Sequence, residues 1–126
     1  MTLFLEQKVD LDGPRNATVI VTGAAKQAEQ RIKLVDLRKL AGSPKRVKIS
    51  SIVWLIEEKM KLRLLWGPDE FLLPMESRNS VRFDHGLMSP EENKWNGVIE
   101  FDIVDVHKGN DYTDKYFFIQ IELDKL

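Results

Sequence analysis

Apolar side chains in this chain recur at every second residue. In Met60-Lys61-Leu62-Arg63-Leu64-Leu65-Trp66, residues Met60, Leu62, Leu64 and Trp66 share one face while Lys61 and Arg63 point the other way. Near the C-terminal end Phe117, Ile119, Ile121 and Leu123 alternate with Phe118, Gln120, Glu122 and Asp124. A half-buried strand has this pattern, whereas a helix needs apolar residues three and four apart. Further strands are predicted over residues 2–9, 16–22, 30–35, 46–56, 71–74, 80–83 and 97–106. About eight strands with turn signals at short intervals predict an all-β antiparallel sandwich, jelly-roll-like or of a related Greek-key type.

The connections carry their own signals. Trp66-Gly67-Pro68-Asp69 reads as a turn, and Glu57-Glu58-Lys59 as a short hairpin connection without the usual glycine. Helical turns are expected at residues 36–40, ended by Gly42 and Pro44, and after Ser89-Pro90. Residues 26–31 and 84–96 are expected to be loops carrying surface function.

The most specific local signal is Leu11-Asp12-Gly13-Pro14-Arg15-Asn16-Ala17-Thr18-Val19-Ile20-Val21-Thr22-Gly23. Here Gly13 is expected to supply a positive φ and Pro14 a fixed one, so that the chain reverses before the β-branched run pairs. Asp12, Gly13, Pro14, Arg15 and Asn16 therefore form a structural turn motif. The Arg15 guanidinium suits a carboxylate, either within the turn or on a neighbouring subunit.

At 126 residues the chain has the length of one domain, 1–126, with residues 1–10 as an arm or edge strand. A net charge of −1 gives no global attraction to nucleic acid or anionic lipid. The runs Arg38-Lys39 and Lys45-Arg46-Val47-Lys48 are balanced by acidic clusters and read as solvated faces. No cysteine is present, which excludes thiolate nucleophiles, disulfides and Cys-type zinc sites. The first residues lack the basic and apolar regions of a signal peptide, and no apolar run reaches membrane-spanning length, so synthesis in a cytoplasm is expected.

Signals for chemistry are sparse. Asp84-His85-Gly86 sets a carboxylate beside an imidazole but supplies no nucleophile. Asp102, Asp105, His107, Asp111 and Asp114 offer oxygen ligands at a spacing foreign to an EF-hand loop. Sequence neighbours such as Glu57-Glu58 or Glu91-Glu92 face opposite ways on a strand, so they do not form the facing pair a glycosidase needs. Thr22-Gly23-Ala24-Ala25-Lys26 is not a phosphate loop. No catalytic residue, metal, cofactor or small-molecule substrate is therefore expected.

Contact surfaces are a better prospect. Leu3, Phe4 and Leu5 put three large apolar residues together in a segment able to add to a sheet edge. Ile52-Val53-Trp54-Leu55-Ile56 is apolar on both faces, so one side faces the core and the other a loop or a neighbouring subunit, with Trp54 on either. Trp66 is expected in the core. Trp95, in a polar loop, is expected to be an exposed anchor. The expected interface residues are thus Leu3, Phe4, Leu5, Arg15, Trp54 and Trp95.

The stretch from Asp12 to Gly23 resembles the N-terminal signature of small virion structural proteins of tailed bacteriophages. Weaker similarity follows in Arg46-Val47-Lys48-Ile49, Leu64-Leu65-Trp66, Phe83-Asp84-His85-Gly86-Leu87 and Gly97-Val98-Ile99, so the likeness touches most of the chain. Residues 23–44 are shorter and more charged than that pattern, and residues 90–95 replace an alanine- and glycine-rich approach to the last strands. The resemblance implies a non-enzymatic virion protein, assembled in the host cytoplasm and decorating or cementing the capsid. Its partners would be the major capsid protein and copies of itself, with a trimer favoured. The alternatives are a tail or head-to-tail connector component and a carbohydrate- or receptor-binding module.

Overall fold

Among the described residues nine strands form, one for each alternating or apolar run: β1 (Leu3–Asp12), β2 (Asn16–Ala25), β3 (Glu29–Asp36), β4 (Val47–Ile56), β5 (Met60–Gly67), β6 (Glu70–Met75), β7 (Arg78–Met88), β8 (Val98–Val106) and β9 (Lys115–Lys125). The computed structural model describes residues 3–67, 70–106 and 114–126. Two antiparallel sheets result, one of five strands in the order β1-β2-β9-β4-β7 and one of four in the order β3-β8-β5-β6. Without β1, strands two to nine divide four and four in the interleaved order of a double Greek key, which is a jelly roll. The ninth strand is β1, added at the outer edge of β2.

Inward-facing residues of both sheets make one core. Val19, Val21, Ile49, Ile52, Ile119 and Ile121 from the five-stranded sheet meet Leu34, Leu62, Leu64, Ile99, Phe101 and Ile103 from the other, all fully buried. Phe101 and Phe117 join the layers edge-on, with ring centroids 5.5 Å apart. The expected helical turn is the 3-10 turn Leu37–Lys39, capped by the Asp36 side chain accepting from the Arg38 N–H. A second 3-10 turn spans Glu92–Lys94.

Several local expectations are corrected. Gly13 does not take a positive φ; its N–H donates to the Asn16 carbonyl at 2.9 Å, which closes the turn without left-handed backbone. Glu57-Glu58-Lys59 is not a hairpin within one sheet but an arch between sheets, because β9 and β7 already occupy both edges of β4. Lys59 makes that bend at φ 69°, in place of a glycine. Residues 84–88 are not loop but the end of β7, and residues 29–31 begin β3. The N-terminal segment is the edge strand β1, paired along its own β2.

Candidate docking surface

The two long sides of the sandwich differ. On one side the Gln7 side-chain amide donates to the Leu34 carbonyl and ties β1 to β3. Below it, Asp12 organises the turn motif. Its Oδ1 lies 2.5 Å from the Lys125 ammonium, which also donates to the carbonyls of Gly13 at 2.6 Å and Ala41 at 2.9 Å. Oδ2 accepts from the Ala41 N–H at 2.8 Å, and the Lys125 N–H donates to the Arg15 carbonyl at 2.6 Å. The Lys125 bond, reinforced by the Ala41 N–H, holds the Asp12 carboxyl below its ordinary 3.8. The turn motif is thus a structural clamp, and the partner of Asp12 lies at the far end of the sequence.

Arg15 is not the clamp. Its side chain is exposed and enters no ion pair among the described residues, so the intrachain carboxylate partner is ruled out there.

The opposite side, between β6 and β7, is open. A groove of about 800 Å³ is lined by Phe71, Leu73, Phe83 and Met88, with the buried Trp54 and Trp66 beneath them. Trp54 belongs to this inner layer: it is 6% exposed, and its indole N–H donates to the Glu76 carbonyl at 3.0 Å. Placing it at a subunit interface is therefore corrected, since alternation along β4 turns it inward and its neighbours Val53 and Leu55 outward. Trp95 is corrected too. It is half-buried, its ring packs edge-on against buried Trp66 at 5.4 Å, and its N–H donates to the Val98 carbonyl at 3.0 Å. A depression of about 750 Å³ lies beside it, lined by Glu70, Asn93, Lys94 and Asn96.

Residues weighed for chemistry are dispersed. Asp102 is buried, pairs with Arg63 at 2.8 Å and accepts from the Arg31 N–H at 2.7 Å. Asp114 faces Lys26 at 3.8 Å, while His107 and Asp111 lie outside the described residues. Among the described residues no cluster of His, Asp and Glu fits a metal ion. Asp84 and His85 are exposed on the edge strand β7, Glu57 accepts from the Tyr116 N–H at 2.6 Å, and Glu91 sits 3.6 Å from Lys94.

The outer face of the five-stranded sheet also carries exposed apolar side chains. Register places Glu6, Thr22, Phe118, Leu55 and Arg78 in one row across it, and Lys8, Ile20, Gln120, Val53 and Ser80 in the next. Phe4, Ala24 and Tyr116 stand in the row above. Phe4 is 61% exposed, Tyr116 63% and Leu55 48%. Together with Phe118 they line an apolar hollow of about 290 Å³. Of the expected interface residues, Phe4 lies on this face and Leu5 is exposed on the opposite face of β1; the Leu3 side chain lies outside the described residues. Leu55 had a signal in the all-apolar run 52–56 and Phe118 in the apolar neighbours of the alternating segment 117–123, while Tyr116 had none.

The chain matches no protein-family model and no curated protein. Among solved structures it is similar to a cupin domain from Bordetella pertussis Tohama I, at 13% identity and a TM-score of 0.40, over 94% of this chain and 92% of that one.

Proposed function

We propose that this chain is a non-enzymatic structural protein of a tailed-bacteriophage particle, one that decorates the capsid by docking rather than by chemistry. The observation that carries the reading is the uncovered apolar face formed by Phe4, Val53, Leu55, Tyr116 and Phe118. Exposed apolar surface of this kind marks a contact site on an otherwise polar protein. A decorating protein needs such a surface, because its stability on the shell comes from buried area and from multivalent attachment. The resemblance of residues 12–23 to phage virion proteins supplies the particle.

Mixing the purified protein with expanded capsids tests this. Binding is expected to saturate at a fixed ratio to capsid subunits. Leu55→Lys, which removes about 1.5–3 kcal/mol of burial per contact, is expected to weaken binding by about ten- to a hundredfold. Association with tails and not with heads would move the protein to the tail or connector and contradict the reading.

The depression beside Trp95 favours a second reading as a carbohydrate- or receptor-binding module, because amides and a carboxylate sit there against an indole. Glycan binding abolished by Trp95→Ala would support that reading instead.

A further inference from the structure

We infer that the outer face of the five-stranded sheet is covered by a second copy of this chain, packed face to face about a two-fold axis along β9. The inference rests on the docking face proposed above and names what covers it in the free protein; the pair must open before the same face meets a capsid.

Five strands about 4.8 Å apart and ten residues long at about 3.3 Å each present roughly 800 Å². That matches the roughly 800 Å² each partner contributes to a standard interface.

β9 is the middle strand of the five, so a two-fold along it exchanges β1 with β7 and β2 with β4. In the first row this sets Glu6 opposite the second copy's Arg78, Thr22 opposite its Leu55, and Phe118 against itself. In the next row Ile20 meets the copy's Val53. Tyr116 of each subunit falls beside the apolar hollow of the other. A two-fold across the strands at the Glu6 row would set Glu6 on Glu6 and Arg78 on Arg78; the axis along β9 brings Glu122 and Asp124 onto their own copies instead, but there the Ser51 hydroxyl donates to Glu122 at 3.0 Å and Lys48 is in register beside Asp124. No ion pair among the described residues involves Glu6 or Arg78, so both are free to meet a partner. The face as a whole is nearly balanced, with Lys8, Lys48, Arg78 and Arg82 against Glu6, Glu122 and Asp124.

The edges point the same way. β6 carries Pro74, β7 carries Arg78 and Arg82, and β1 is bulged between Val9 and Leu11, all devices that oppose edge-to-edge strand pairing. β3, the fourth edge, is bulged as well, so pairing through a face is favoured over pairing through an edge. A face packed on itself makes an isologous pair, not the three-fold ring expected from the sequence.

Sedimentation equilibrium of the full chain and of charge-reversed variants tests this. The wild type is expected to form a two-subunit species at tens of micromolar, above the roughly micromolar dissociation constant at the weak end for a 1,600 Å² interface. Glu6→Arg and Arg78→Glu are each expected to weaken it at least about tenfold, and the double reversal to restore most of the loss. Both residues are exposed on edge strands, and circular dichroism of each variant checks the fold. A monomeric wild type, a trimer, or a double reversal no better than its singles would overturn the pairing. Capsid binding measured in parallel separates the two ideas. A wild type that binds heads while remaining monomeric keeps the decorating role and removes the second copy as occupant.

Discussion

Asp12 shows how one side chain holds distant parts of the chain. It joins the first turn, the segment at Ala41 and the C-terminal strand through Lys125, whose side chain is 5% exposed. Removing the carboxylate leaves a buried ammonium with carbonyl partners alone, so Asp12→Ala is expected to cost about 1–3 kcal/mol in urea denaturation at pH 7. The sign with pH follows from the folded carboxyl being held below 3.8. Its contribution is complete above the unfolded value and is lost as pH falls through the lower folded one. Asp36, held low chiefly by hydrogen bonds from the Arg38 side chain, acts in the same direction. Acid titration of stability is therefore expected to be shallower for Asp12→Asn than for the wild type. The sequence marks Asp12 as a turn residue, but its partner is 113 positions away, and only the fold brings Lys125 to it.

At the scale of elements, close approach and aromatic packing set the arrangement. A Cβ on Gly23 would sit 2.5 Å from the Phe4 carbonyl oxygen and 2.5 Å from the Phe117 ring. Gly23→Ala is thus expected to push β1 from the sheet and destabilise by about 1–3 kcal/mol, read as faster amide exchange in residues 4–9. Phe101→Ala, which removes the buried ring that spans the sheets against Phe117, is expected to cost about 3–5 kcal/mol. Alternation made β4, β5 and β9 legible in advance, since a period of two fixes which residues face inward. Trp54 and Trp95 were less so. An all-apolar run does not say which face is buried, and a tryptophan in a polar segment gives no sign that Trp66 lies 5.4 Å away. The arch at Lys59 was hidden for a related reason, because a three-residue bend looks alike whether it joins neighbours in one sheet or strands of two.

As a whole molecule the protein is a jelly roll whose inner faces are filled and whose broad outer sheet is half apolar. The jelly roll was legible from strand number and spacing. The bare face was not, because it is built from β1, β2, β4 and β9, whose order in the sheet is unrelated to their order in the chain. This face is proposed as a contact surface occupied symmetrically. Because the chain has no cysteine, single cysteines report on it cleanly. Gln120 stands on the proposed axis, and Val104 is exposed on the other sheet. Cross-linking with a short bis-maleimide is expected to convert Gln120→Cys efficiently to a covalent pair and to leave Val104→Cys single; equal yields at the two sites, or none at Gln120, would contradict the account.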